Sequence, residues 1–132
     1  MNTGGSGHPQ DRRANVLAVW SLATTATTAN QEIGTRTVTT GKKYVVTAII
    51  IEVYRTVVSA TAALLGLISV RIGDTAWITL QASNNIASSM FGAVIPIPLG
   101  QEVPSATDFD AVCTPADVTS TTWKVNVIGY EK

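Results

Sequence analysis

The feature that most constrains the fold is the stretch at residues 41–55, GKKYVVTAIIIEVYR. A strand with one face in water alternates apolar and polar residues, but here nearly every position from Tyr44 to Tyr54 is apolar. Such a segment crosses a membrane, lies deep in a core, or is covered on both faces. It is too short for a spanning helix, which needs about 20 apolar residues, and it contains Glu52. We therefore predict a strand with two dry sides.

A second apolar run follows at residues 57–70, VVSATAALLGLISV. It lies between Arg55 and Arg71, which are separated by fifteen residues, again fewer than a spanning helix requires. Because Ala and Leu are common in this run, a short helix is the alternative, but Gly66 and the β-branched residues favour a strand. The sequence thus predicts two long neighbouring strands and no membrane role.

The composition indicates an all-β protein. Charged residues make up 14% of the chain, against about 25% in ordinary soluble domains, and Val, Ile and Thr are abundant. Turn signals such as Gly73-Asp74 separate seven or eight predicted strands. We expect an antiparallel β-sandwich or jelly roll. Pro96 and Pro98 exclude a central position for the segment that holds them, so it should be an extended edge strand or a crossing loop.

Two parts of the chain are distinguished by composition. Residues 1–14 are polar and rich in Gly, and they contain Asp11, Arg12 and Arg13. Such a segment buries too little to order itself and is predicted to be a flexible N-terminal arm. Residues 15–132 are predicted to form a single domain, because 132 residues without an internal repeat are most simply one folding unit.

Charge and cysteine content narrow the possible partners and the compartment. The net charge is zero, which disfavours a nucleic-acid partner because such proteins show a basic stripe. Cys113 is the single cysteine, so an internal disulfide is excluded, and we expect it to be a small buried apolar residue in a strand. A chain without a disulfide framework and without a signal peptide is typical of production in a reducing cytoplasm.

The search for catalytic and metal-binding residues predicts that the protein is not an enzyme and has no cofactor. His8 lies in the predicted arm, where no partner can orient it, and Cys113 therefore lacks a base. Asp108 and Asp110 share one face of a predicted strand and could hold a cation with other oxygens, but a solvated face is the favoured interpretation.

Aromatic residues provide the candidate ligand contacts. Trp77 shares a strand face with Thr79 and Gln81 and is the tryptophan most plausibly exposed to stack on a glycan; core packing is the alternative. In the last strand, Trp123 shares its face with Val125 and Val127 and is predicted to lie in the core. Ile128 and Tyr130, on the opposite face of that strand, indicate a contact at its rim.

The apolar residues on both faces of the two long strands also predict that the protein forms an oligomer. A two-layer sandwich covers only one face of each sheet, and an exposed apolar patch of that size would aggregate. The second face is therefore expected to meet another subunit of a homo-oligomer. The candidate interface residues are Tyr44, Val46, Ile50, Tyr54, Leu65 and Leu67.

The polar arm, the "YVVTAIII" strand, the "IPIPLG" segment and the closing "WKVNVIGY" strand together resemble tailed-phage jelly-roll capsid decoration or cement proteins with a tumour-necrosis-factor-like subunit. The resemblance is one of style and covers about residues 33–132. It implies a bacteriophage virion structural protein, a homotrimer on the outer capsid surface that binds the major capsid protein and stabilises the head. The arm, through Asp11, Arg12 and Arg13, would anchor it to the shell. The alternative is a carbohydrate- or receptor-binding β-sandwich at a fibre tip.

Overall fold

The fold is a sandwich of two four-stranded antiparallel sheets, seen in a computed structural model that describes residues 16–26, 30–55, 64–83, 90–116 and 121–132. The predicted arm at residues 1–14, with Asp11, Arg12 and Arg13, lies outside the described residues. Residues 57–63, the first half of the run for which a helix or a strand was left open, also lie outside them. The strands are β1 (Val16–Ala26), β2 (Gln31–Thr37), β3 (Tyr44–Arg55), β4 (Leu64–Ile72), β5 (Thr75–Ser83), β6 (Met90–Val103), β7 (Asp108–Pro115) and β8 (Thr121–Glu131).

The strand order is that of a jelly roll, which confirms the predicted fold class. The first sheet has the order β1-β8-β3-β6 and the second β2-β7-β4-β5. The pairs β1·β8, β2·β7, β3·β6 and β4·β5 are nested, so the first half of the chain runs antiparallel to the second half along its whole length. This long hairpin, rolled into two layers, is the double Greek key of jelly rolls.

The reversal point of the long hairpin is the turn between β4 and β5. Gly73 and Asp74 both have positive φ, 55° and 64°, and they separate the paired residues Ile72 and Thr75. A two-residue turn with positive φ at both positions is type I′, whose twist matches that of the flanking strands. The predicted turn at Gly73-Asp74 is confirmed.

The core lies between the two sheets and is filled mainly by β-branched and aromatic side chains. Trp123, Val125 and Val127 of β8 alternate with less buried residues along the strand, as the sequence pattern predicts. Trp20 stacks on Tyr44 with ring centroids 3.8 Å apart and also contacts Phe109 of the second sheet. Cys113 is fully buried in this core, and burial raises the pKa of its thiol to about 11.

The two long apolar strands are not neighbours, and this corrects the sequence interpretation. β3 lies inside the first sheet and β4 inside the second. Residues 64–72 are a strand. Because β3 and β4 are interior strands of opposite sheets, each needs apolar residues on its core face. This requirement explains both apolar runs, although the two strands are not neighbours in one sheet.

A β-bulge in β3 changes which residues face the core. Val46 pairs with Gly129 of β8 and Ala48 with Ile128, so Thr47 is an extra residue. A bulge reverses the alternation beyond it. Tyr44 and Val46 therefore point into the core before the bulge, and Ile49 and Ile51 do so after it.

The bulge and the sheet assignment overturn half of the predicted interface. Tyr44, Val46 and Leu65 are fully buried inside their own chain, so a sister subunit cannot reach their side chains. Ile50 and Tyr54 are half-buried on the outer face of the first sheet, and Leu67 is exposed on the outer face of the second. These three do not form one surface.

Candidate functional site: the outer faces of the two sheets

The outer face of the first sheet carries apolar side chains from all four strands. Strand pairing aligns them in rows that cross the sheet, for example Val19, Ile128, Ala48 and Pro96. We call this surface the apolar face and define it by the apolar outer side chains of three such rows, which are Leu17, Tyr130, Val19, Ile128, Ala48, Pro96, Ile50 and Val94.

Several members of the apolar face are open to solvent within the chain. Leu17 is 72% exposed, Val19 53% and Val94 68%. Each position in the sheet covers about 4.8 by 6.7 Å, so the eight residues of the apolar face span an area on the order of 260 Å². That is near the lower end of the largest patches of typical monomers, which are often functional, and about a third of what one partner buries in a standard interface.

Charged groups border the apolar face at both ends. At one end Glu102 lies between Lys43 and Lys132, with nitrogen–oxygen distances of 3.2 and 3.5 Å. The hydrogen bond from Lys43 holds the pKa of Glu102 below its usual range. At the other end Lys124 is paired in register with Glu52, and its Nζ lies 5.7 Å from the ring centroid of Tyr54.

An apolar centre with charged groups at its border is also typical of protein–protein interfaces. Such interfaces have an apolar centre and a polar, solvent-accessible rim. Including the charged rows, the outer face spans about 19 by 35 Å, or about 700 Å². That area approaches the ~800 Å² per partner of a standard interface.

The edge strand β6 adds an apolar projection beside this face. Four residues of β6, 97–100, lie opposite the single residue Thr47 of β3. The excursion folds back where Gly100, with φ of 72°, packs against Val45, since a Cβ there would lie 2.6 Å from Val45 Cγ1. Leu99 is 99% exposed next to this contact. The predicted edge position of the Pro96–Pro98 segment is confirmed by the strand order.

The outer face of the second sheet is polar and contains an open depression of about 300 Å³. It is lined by Asn30, Leu67, Ile68, Ser69, Arg71, Thr79, Val112 and Thr114. Arg71 donates from Nε and Nη2 to the two carboxylate oxygens of Asp110, and this hydrogen bonding raises the pKa of Arg71. Thr114 donates to Asn30 Oδ1 at 2.5 Å.

Asp108 and Asp110 do not form a cation site. Asp110 is occupied by Arg71, and Asp108 accepts a hydrogen bond from the Thr37 hydroxyl at 2.6 Å. Among the described residues, no group of three or more His, Cys, Asp or Glu side chains is placed to hold a metal ion. In the same part of the chain, no helix is long and apolar enough to span a membrane.

Trp77 is not free to stack on a sugar ring. It is the extra residue of a bulge in β5, because Val70 pairs with Ile78 and Arg71 with Ala76. The side chain is half-buried and packs against the core, where it meets Phe109 edge-on with ring centroids 6.3 Å apart. The polar neighbours Thr79 and Gln81 misled the sequence interpretation, since the bulge reverses the face between Thr79 and Trp77.

Sequence reasoning found part of the apolar face and missed the rest. Ile50 was predicted from the dry faces of β3, and Ile128 and Tyr130 from the pattern of β8. Leu17, Val19 and Val94 were missed because their strands lie far apart in sequence. Their apolar character was visible, but their proximity depends on the pairing of β1 with β8 and of β3 with β6.

Comparison with known proteins gives similarity of fold only. No protein-family model and no curated protein matches the sequence. Among solved structures, the cyanophage Pam1 capsid asymmetric unit matches with a TM-score of 0.47 and 15% identity over 98% of this chain and 93% of that one. The VP2 subviral particle of infectious bursal disease virus matches at 0.45 and 8% identity, over 86% of this chain. This chain spans about a third of VP2, 32% of its length.

A sugar-binding protein is also among the matches. The EclA C-terminal domain has a TM-score of 0.41 and 12% identity, over 97% of this chain and 88% of that one. Viral capsid proteins and a sugar-binding domain are thus both among the solved structures that this chain resembles in fold. Because one fold supports many functions, these similarities do not assign a function to this chain.

Proposed function

We propose that the protein is a virion structural protein, a capsid decoration or cement protein of a bacteriophage. In this proposal it binds the major capsid protein on the outer capsid surface and stabilises the head as a homotrimer. It is made in the host cytoplasm, has no cofactor and is not an enzyme. The observation that carries the proposal is the apolar face, which the chain leaves open and borders with charge on both ends.

The chemistry of the chain supports this choice over a soluble monomeric function. A zero net charge and a charged fraction of 14% protect poorly against association. An exposed apolar face on such a chain favours association, because such patches often mark surfaces that another protein covers. A decoration protein offers two such partners, its sister subunits and the capsid.

The decisive experiment places a charge within the apolar face. Val94→Glu puts a carboxylate beside Ile50, its cross-strand partner, and Gln81→Glu is the matched control on an exposed position of the second sheet. Binding to purified heads that lack the protein is measured by co-sedimentation, and mass by light scattering. We expect the wild type and the control to have the mass of three 13.9 kDa chains and to bind heads. The Val94→Glu variant should bind at least tenfold more weakly, because burying an unpaired charge is costly.

Three results would each overturn part of the proposal. Binding of Val94→Glu at wild-type strength would show that the apolar face is not the contact surface. A wild-type protein that fails to bind heads would remove the capsid role, and a monomer at all concentrations would remove the trimer.

The alternative is a carbohydrate-binding module that uses the depression on the second sheet. The hydroxyl groups of Ser69 and Thr79, 3.4 Å apart, and the guanidinium of Arg71 could donate to a sugar. The absence of an exposed aromatic ring in that lining weakens this candidate, because aromatic faces supply much of the apolar contact with a sugar. A glycan array would favour it if a bound sugar were lost in Thr79→Lys and retained in Val94→Glu.

A further inference from the structure

Strand β1 is an edge strand, and within the described residues no other strand pairs with its outer side. It occupies one end of the order β1-β8-β3-β6. All eleven of its residues pair with β8 in unbroken register, without a bulge. Its sequence, VLAVWSLATTA, contains neither a charged residue nor a proline nor a glycine. A long, flat, uncharged edge of this kind exposes a row of backbone N–H and C=O groups that readily pairs with another strand.

The other edge strands of the molecule are each interrupted. In β6, Pro96 and Pro98 remove two N–H donors and residues 97–100 leave the ladder. In β5 the bulge at Trp77 breaks the register. In β2 a bulge lies between Glu32 and Gly34. Prolines and bulges are the devices by which edge strands avoid pairing with other chains, and β1 carries none of them.

The C-terminal end of β1 is already occupied. The Gln31 side chain donates to the Thr24 hydroxyl at 2.9 Å and to the Thr25 carbonyl at 3.5 Å. The open part of the edge is therefore residues 16–23, about 26 Å long at ~3.3 Å per residue. This part also carries Leu17 and Val19, the exposed end of the apolar face.

We infer that β1 pairs antiparallel with β1 of a second copy, which joins two first sheets into one eight-stranded sheet across a two-fold axis. The uncharged edge is self-complementary, because no like charges meet across the axis. One open edge per chain closes the assembly at two, since the joined sheet ends on both sides at the proline-bearing β6. The two apolar faces then become one continuous surface.

The polar N-terminal segment is a poor occupant of this edge by comparison. Residues 1–15, MNTGGSGHPQDRRAN, lack alternating apolar residues and contain a proline, so they cannot reproduce the apolar pattern that neighbours Leu17 and Val19. The inference does not depend on the capsid role. A two-fold pairing joins chains in pairs, so a monomer becomes a dimer, and a trimer becomes a hexamer when its three β1 edges meet those of one other trimer.

The test is sedimentation across a range of protein concentrations. An eight-residue edge contact supplies mainly backbone hydrogen bonds, so we expect doubling of the mass in the micromolar range rather than permanent association. The edge variant Ser21→Lys/Ala23→Lys adds charge at two exposed positions of β1 that follow Leu17 and Val19 along the outer face. It should weaken the doubling at least tenfold. Gln81→Lys, on the edge strand β5, is the matched control and should leave it unchanged.

A second measurement locates the contact without weakening it. Ser21→Cys is treated with a short bismaleimide cross-linker, and Gln81→Cys serves as control. Cys113 does not interfere because it is fully buried and burial raises the pKa of its thiol to about 11. We expect covalent dimers from Ser21→Cys alone. The inference is overturned if the wild-type mass never doubles, if the Lys edge variant doubles like the wild type, or if both cysteine variants cross-link equally. The mass before doubling reports on the trimer separately.

Discussion

The contact between β3 and β8 makes a sharp prediction at Gly129. A Cβ atom at this position would lie 2.1 Å from the Val45 carbonyl oxygen and 2.9 Å from the ring of Tyr44. Because a carbon–oxygen contact ordinarily measures about 3.3 Å or more, Gly129→Ala forces the two strands apart by about 1 Å. Tyr44 must also move, and this movement weakens the hydrogen bond that its hydroxyl donates to the Ala18 carbonyl at 2.6 Å.

The cost can be estimated from these two effects. Overpacking a tight core costs about 1–3 kcal/mol, and weakening the tyrosine hydrogen bond costs about 1 kcal/mol. Gly→Ala by itself stabilises by about 0.4–1 kcal/mol through the unfolded chain. We therefore expect Gly129→Ala to lower the free energy of unfolding by about 2 kcal/mol, equivalent to a fall in Tm of roughly 7 °C.

Gly92→Ala is the matched control. It lies in the same sheet, and a Cβ there would meet nothing nearer than the Ile51 carbonyl oxygen at 3.9 Å. We expect this variant to be as stable as the wild type or slightly more so. Urea unfolding of both variants at one fixed protein concentration gives the comparison, because association shifts apparent stability. Equal stabilities of the two variants would refute the packing described for β3 and β8.

Two further predictions concern buried groups. Burial raises the pKa of Tyr44 to about 12 and that of Cys113 to about 11, from ordinary values of 10.0 and 9.0. The folded state therefore keeps these protons longer than the unfolded state, so stability should be complete below about pH 9 and fall as the pH rises towards 12. The urea concentration at the midpoint of unfolding should fall less steeply from pH 8 to pH 11 in Tyr44→Phe than in the wild type. An identical slope in the two proteins would contradict this prediction. Arg71→Met should destabilise the fold by about 1–3 kcal/mol, because it leaves the largely buried Asp110 carboxylate unpaired. A double-mutant cycle with Asp110→Asn should show coupling between the two changes, whereas additive effects would argue against the pair.

The fold class followed from the sequence because it depends on local chemistry. β-branched residues, alternation in "TTWKVNV" and turn residues at Gly73-Asp74 favour strands whatever their partners are. The prolines at 96 and 98 similarly predicted an edge strand, since a residue without an N–H cannot complete a ladder on both sides. Each of these predictions uses residues that are adjacent in the chain.

The detailed faces of the strands did not follow from the sequence. Alternation predicts which side chains share a face only while the register is regular, and the bulges at Thr47 and Trp77 reverse it. For that reason Tyr44 and Val46 were wrongly assigned to an interface and Trp77 to an exposed position. A bulge depends on the strand opposite, so the pattern of one strand cannot reveal it.

Strand β3, "YVVTAIIIEVYR", shows the same difference between what the sequence predicts and what the tertiary structure decides. The sequence by itself determined that β3 has almost no polar residues and that water should be excluded from both of its sides. The tertiary structure decided what lies there: the sandwich core on one side, and on the other a face shared with residues more than 70 positions away, such as Ile128 beside Ala48. Hydrophobicity is a property of a side chain, whereas a surface is a property of the side chains that the strand pairing brings together.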